Sequence, residues 1–205
     1  MKSIELFPVT IFKTQVENNN RLKEILVPDI LESCNSFTIP EDWTTHKIRT
    51  SFGQEDDVIA SNRNLLESEY IECMREIFDK EFDVEIDSIW YNVYTDGEYQ
   101  EVHDHLGTPL KPSHFSFIHF LSYDKKIHRP PEFHDPLAQI RNLSVELDRT
   151  RCGDVYVPDI KEGDLLMFPS YLQHCVPSGK STLYPRITIS FNVRVLKYGN
   201  DNSYL

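Results

Sequence analysis

Arg186-Ile187-Thr188-Ile189-Ser190-Phe191-Asn192-Val193-Arg194-Val195 alternates apolar and polar residues without a break. Side chains alternate across a β-strand, so Ile187, Ile189, Phe191, Val193 and Val195 share one face. Arg186, Thr188, Ser190, Asn192 and Arg194 share the other. An outer strand with one solvated face reads this way. So does a strand of a barrel whose polar face lines the lumen. In the second case Arg186 points inward with hydroxyls beside it. A guanidinium there can grip a carboxylate through two parallel hydrogen bonds.

Short strands separated by turns precede this one. Ile86 to Thr95, Tyr99 to His105, Phe115 to Tyr123, Val155 to Val157 and Asp164 to Phe168 read as strands. Thr95-Asp96-Gly97, Lys161-Glu162-Gly163-Asp164 and Pro177-Ser178-Gly179 supply turn chemistry between them. Many short strands in a row imply a sandwich or jelly roll. Lys125 to Asp154 is less regular, rich in charge and proline, and reads as a long loop over the barrel mouth.

The N-terminal part has another character. Leu6 to Phe12 reads as a short edge strand containing Pro8. Asn18-Asn19-Asn20 could cap a helix carrying Leu22, Ile25 and Leu26, disturbed at Pro28. Ser61 or Asn62 could cap a second helix, with Leu66, Tyr70, Met74, Ile77 and Phe78 as its core stripe. The expected fold is mainly β with some α. N-terminal helices, over about residues 1–85, pack on a β core over about residues 86–197 of one domain spanning 1–205.

The chain has 205 residues and a formal net charge of -12, which argues against a general nucleic-acid or membrane-binding surface. Cys34, Cys73, Cys152 and Cys175 form no CxxC pair, so a reduced cytosol is the expected compartment. No run approaches the roughly 18 apolar residues of a membrane span, and the start of the chain does not read as a signal peptide.

In GEYQEVHDHLG, residues 97–107, His103 and His105 would face one side of a strand and Asp104 the other. Two imidazoles converging on one space suggest part of a metal site, which needs a third ligand. His174 is the candidate: Asp164 to Phe168 forms a strand, Pro169 ends it, and His174 opens the next. Asp104 could supply a carboxylate only where the strand ends or bulges. His46, His114, His128 and His134 read as surface or satisfied core groups. His119, in apolar FSFIHFLSY, reads the same way or lines the pocket. A metal together with an arginine clamp suggests a chelating acid as cofactor.

These residues resemble the iron(II)- and 2-oxoglutarate-dependent oxygenases, especially those encoded in phage and marine bacterial genomes. LFPVTIF, YNVYTDGEYQEVHDHLG, FHDP, GDLLMFPSYLQHCVPSG and RITISFNV follow the family's pattern in order along most of the chain. The resemblance implies a double-stranded β-helix, Fe(II) and 2-oxoglutarate as cofactors, and ascorbate as a reductant. It implies iron ligation by His103 and His174. It places Arg186 on the far carboxylate of 2-oxoglutarate, helped by Thr188 or Ser190, with Asn92, Tyr94 and Tyr123 lining the cofactor pocket. The family's usual triad is His-x-Asp/Glu…His. Here His105 occupies the carboxylate position, leaving His105 or Asp104 to complete the site. If the chain is phage-encoded, it would work in the host cytoplasm.

Two other readings stay open. A three-histidine cupin dioxygenase would share Gly97, His103, His105, Gly163, Pro169 and His174 but would not use 2-oxoglutarate. It would lack the glutamate expected soon after the HxH pair, since residues 106–110 contain none. A non-catalytic jelly-roll binding module is the third. The substrate, whether protein side chain, nucleobase or small molecule, is not readable, and a homodimer is open.

Overall fold

Ile187, Ile189, Phe191 and Val193 turn toward two helices, and Arg186, Thr188 and Ser190 toward the interior of a double-layered β structure. The polar face of the last strand is therefore the lumen. A computed structural model of the chain describes residues 9–37, 48–77, 82–108, 111–138, 154–179 and 184–198.

In chain order, the described elements are β1 (Phe12–Gln15), α1 (Asn19–Ser33), β2 (Arg49–Thr50), α2 (Asp57–Ile77), β3 (Phe82–Tyr94), β4 (Gln100–His103), β5 (Gly107–Thr108) and β6 (Lys111–Pro112). They continue with β7 (Phe115–Ser122), β8 (Glu132–His134), β9 (Val155–Tyr156), β10 (Asp164–Pro169), β11 (His174–Val176) and β12 (Arg186–Tyr198). A six-stranded sheet runs β1-β10-β7-β12-β3-β2, and a four-stranded sheet runs β4-β11-β8-β9. All their pairings are antiparallel. This is the expected jelly roll with helices packed on the larger sheet.

Strands β7 and β10 of the large sheet are buried on both faces nearly throughout, so they read as mostly apolar runs. On β7, Phe117 and Leu121 join the helix-side core with Leu22, Leu26, Leu66 and Tyr70. Ile118 and Phe120 join a second core between the sheets with Phe133, Leu166 and Phe168. Tyr70 stacks on Phe191, ring centroids 4.3 Å apart, and Phe191 stacks on Phe117 at 4.4 Å. Helix α2 is thus keyed directly to β12, the strand that carries Arg186.

Several local expectations change. The first strand is Phe12–Gln15 rather than Leu6 to Phe12; Val9 to Ile11 are not in a strand, and Leu6 to Pro8 lie outside the described residues. Pro28 sits inside α1 without ending it, while Leu26 and Ile30 on either side are buried. Tertiary burial outweighs the missing hydrogen bond. Ile25, expected in the core, is 36% exposed. Helix α2 begins earlier than Ser61, because Asp56 Oδ1 accepts the backbone N–H of Ile59 at 2.8 Å and acts as the cap. Phe78, at the end of the expected stripe, lies outside the described residues. The segment expected as a loop over the mouth contributes β8, whose Phe133 is buried between the sheets; residues 139–153 of it lie outside the described residues. Among the described residues no helix is long and apolar enough to cross a membrane.

Candidate active site

Strand β4 ends at His103, and β11 begins at His174, directly opposite it in the antiparallel register. His105 lies beyond the strand end. It is held there by its backbone N–H, which donates to the Ser170 carbonyl at 2.8 Å. Two histidines spaced i, i+2 therefore converge by strand termination, not by strict strand alternation. The ring centroids of His103 and His174 lie 4.3 Å apart, those of His105 and His174 5.0 Å, and those of His103 and His105 5.2 Å. One nitrogen from each comes within 4.8 Å of the others.

The other nitrogen of each ring is oriented by a carbonyl oxygen. Nδ1 of His103 lies 2.7 Å from the Glu101 carbonyl, Nδ1 of His174 3.1 Å from the Leu172 carbonyl, and Nδ1 of His105 3.0 Å from Asn192 Oδ1. A carbonyl oxygen only accepts, so each Nδ1 carries the proton and each Nε2 the lone pair. Three imidazoles fixed in one tautomer suit a divalent transition metal, which they would hold through Nε2. Burial, reinforced by His103, lowers the His105 pKa to about 4. Burial, with His103 and His105, holds His174 well below the ordinary value. Both rings are neutral at pH 7, the form that binds metal. Phe168 meets the His174 ring edge-on at 4.9 Å and walls off the interior side.

Asp104 is exposed. Its Oδ1 accepts the backbone N–H of Leu106 at 3.3 Å, and it is not part of the histidine cluster. His119 does not line the lumen. It is buried on the helix side of β7, where Nε2 donates to Asn19 Oδ1 at 2.8 Å and Nδ1 accepts from the Tyr70 hydroxyl at 3.1 Å. Burial alone lowers its pKa to about 3. His128 is a satisfied buried group, accepting from the Asp124 N–H and donating to the Tyr184 carbonyl. His114 accepts the Val195 N–H at 3.0 Å. His46 lies outside the described residues.

Deeper in the lumen, β12 and β3 face each other with Arg186 opposite Tyr94, Thr188 opposite Asn92 and Ser190 opposite Trp90. Arg186 is 3% exposed. Its guanidinium lies over the Tyr94 ring at 4.6 Å and donates from Nη1 to the Arg129 carbonyl at 2.7 Å. Its Nε has no hydrogen-bond partner, and among the described residues no carboxylate pairs with it. A buried guanidinium without an anion is costly, so the site is built to receive one. Asn92, Thr188 and Ser190 are buried beside it, and the Asn92 Oδ1 is also unpartnered. Tyr94 lines the same cavity and donates from its hydroxyl to Gln100 Oε1 at 2.9 Å. Tyr123 sits near Arg186, with its hydroxyl turned to the His128 carbonyl.

Sequence reasoning did not single out Asn192, Trp90 or Phe52 as site residues. Asn192 follows Ser190 on the same polar face, and Trp90 precedes Asn92 and Tyr94 on theirs, so the period-two pattern that found their neighbours extends to them. Phe52 carried no such signal. It follows β2, whose pairing with β3 places it against Trp90, centroids 5.1 Å apart.

A family model described as "Putative 2OG-Fe(II) oxygenase" matches residues 88–192. Among solved structures, a prolyl-4-hydroxylase from Pseudomonas putida is similar, with a TM-score of 0.58 and 10% identity over 91% of this chain and 92% of that one. HygX from Streptomyces hygroscopicus, solved with nickel, 2-oxoglutarate and hygromycin B bound, gives a TM-score of 0.58 and 12% identity over 93% and 85%. EctD from S. alaskensis, solved with 2-oxoglutarate and 5-hydroxyectoine, gives 0.59 and 13% over 91% and 72%. At these identities the likeness is one of fold. No curated protein sequence matches.

Proposed function

Since the chain belongs to the 2OG-Fe(II) oxygenase family, whose cofactors are Fe(II) and 2-oxoglutarate, we propose that it is a dioxygenase that hydroxylates its substrate through a three-histidine iron site. In this reading His103, His105 and His174 hold the iron through Nε2. Arg186 grips the far carboxylate of 2-oxoglutarate, with Thr188, Ser190 and Asn92 around the chain of the acid. The observation that carries the reading is the pairing of two features in one lumen. Three converging imidazoles sit above a buried guanidinium that has no carboxylate partner among the described residues.

When bound, Fe(II) and 2-oxoglutarate supply the oxidising chemistry, coupling dioxygen reduction to release of succinate and carbon dioxide. The protein's part is position and electrostatics. The carbonyl acceptors fix the imidazole tautomers. Tyr94 stacks under the guanidinium and keeps its fork aligned. Phe168 and Trp90 flank the histidines with apolar surface and limit water. Held by three neutral imidazoles, a bound metal would carry one more positive charge than a two-histidine, one-carboxylate centre.

A cupin-type dioxygenase could also use three histidines, but it would have no role for Arg186. The experiment that separates the two is turnover in air with Fe(II). Succinate formed from 2-oxoglutarate by the wild-type chain, and lost in His174→Ala, is the expected result. Iron retention with no 2-oxoglutarate consumption under any substrate mixture would overturn the oxoglutarate reading.

A further inference from the structure

We propose that Ser116 and Ser170 are positioning residues: through Asn192 they select the tautomer of His105 that leaves Nε2 free for a metal. This rests on the three-histidine reading above and concerns how that site is kept ready.

Strand register brings the residues together. Asn192 on β12 lies directly opposite Ser116 on β7, and Ser116 lies opposite Phe168 on β10, two residues before Ser170. Ser116 is 0% exposed and Ser170 1%. Buried hydroxyls cut off from water need partners within the protein. The Ser116 hydroxyl donates to Asn192 Oδ1 at 2.9 Å, and its Oγ lies 2.9 Å from Ser170 Oγ. A serine has one hydroxyl proton. Ser116 gives its proton to Asn192, so Ser170 is the donor between the two serines. The chain of hydrogen bonds runs one way, from Ser170 to Ser116 to Asn192 Oδ1.

The direction matters because an amide has two unlike ends. With Oδ1 toward Ser116 and His105, the His105 Nδ1 is a donor and the lone pair sits on Nε2. A reversed amide would offer its N–H2 to the ring instead. Nδ1 would then accept, Nε2 would carry the proton, and the ring could not bind a metal from that side. The two neutral forms of the ring have the same charge, so the hydrogen-bond partner decides between them. Without the Ser116 hydroxyl, Asn192 loses the donor that marks its oxygen end.

Ser170 holds His105 a second way, since its carbonyl accepts the His105 backbone N–H at 2.8 Å. The same stretch also sets His174. The Leu172 carbonyl faces His174 Nδ1 at 3.1 Å, and the Leu172 N–H donates to the Pro169 carbonyl at 2.9 Å. Residues 169–172, between β10 and β11, thus orient two of the three rings. They hold His174 through a backbone carbonyl and His105 through a side-chain relay. His103 takes its acceptor from Glu101 on its own strand. Removing the serine hydroxyls should therefore disturb His105 alone.

The test uses the full-length chain labelled with 15N-histidine, first without metal at pH 7.5 and then titrated with Mn(II) by calorimetry. Long-range proton–nitrogen correlation spectra report the tautomer of each ring, and the His105 signals are identified by their absence from His105→Gln. The expected result is an Nδ1–H ring at His105 in the wild type. Ser116→Ala and Ser170→Ala should each populate its Nε2–H form, leave His174 and His103 unchanged, and cost about tenfold in Mn(II) affinity. Ser116→Cys keeps a weak donor and should fall between wild type and Ser116→Ala. A general loosening of the fold would move all three rings together. That outcome, an Nε2–H ring at His105 in the wild type, or a His105 tautomer unchanged in both alanine variants, would overturn the inference while leaving the metal reading intact. Failure of the wild type to bind Mn(II) would overturn both.

Discussion

Nδ1 of His105 lies 3.0 Å from Oδ1 of Asn192, and the same amide oxygen accepts the Ser116 hydroxyl at 2.9 Å. Ser116 in turn meets the Ser170 hydroxyl at 2.9 Å. His105 is therefore steered by a neutral amide, itself fixed by two serines. A carboxylate acceptor at this place would make the imidazole a more basic ligand, and an apolar side chain would free the ring to turn.

Asn192→Asp should tighten divalent metal binding, and Asn192→Leu should weaken it by about tenfold or more. Mn(II) titration followed by calorimetry reads both. A merely structural role for Asn192 would weaken binding in both variants alike.

Arg186→Ala should cost 2-oxoglutarate at least about thirtyfold in affinity, since it removes one partner of a buried charge pair. Arg186→Lys should recover only part of the loss, because an ammonium cannot make the paired bonds of the guanidinium fork. Metal affinity should hardly change in either. Equal 2-oxoglutarate affinity in wild type and both variants would show that the acid binds elsewhere.

His119 gives a pH prediction. Its folded pKa is about 3, against an ordinary value near 6.5 in the unfolded chain. Between those values the unfolded state binds the extra proton, so stability rises with pH and is flat above about 6.5 as far as this group is concerned. The slope contributed is about 1.4 kcal/mol per pH unit. Urea unfolding from pH 4.5 to 7.5 should show it, and His119→Asn should flatten the curve by about that amount. An unchanged slope in the variant would mean the ring is charged in the folded protein.

Much of the fold was legible because its signals are local and periodic. The strand from Arg186 shows its two faces in the alternation alone, and the same pattern in YNVY sets Asn92 and Tyr94 on one side. Which face pointed inward was not legible. It depends on α1 and α2 covering the apolar face, a contact between segments far apart in the chain. Helix α1 runs through Pro28 because burial of Leu26 and Ile30 outweighs a local rule. His174 could be matched with His103 by motif order, but their direct pairing is a product of sheet topology. Phe52 was silent because its place is set by strand pairing with β3 and by no pattern of its own.

Gly163 adopts φ +83°, and a Cβ there would lie 3.3 Å from the Asn19 side chain. Gly163→Ala should cost about 1–3 kcal/mol through backbone strain and crowding of the residue that accepts from His119. Chemical denaturation checks it. A loss below a few tenths of a kcal/mol would mean that the turn adapts freely.

In the proposed function one lumen holds a three-histidine metal site and a carboxylate clamp acting together. This joint action is tested most directly by calorimetric titration of 2-oxoglutarate into anaerobic, Fe(II)-loaded protein, with His103→Ala and Arg186→Ala measured beside it. Micromolar binding in the wild type, abolished or strongly weakened in both variants, is the predicted result. Binding that is absent from the iron-loaded wild type, or that persists undiminished in Arg186→Ala, would contradict the account.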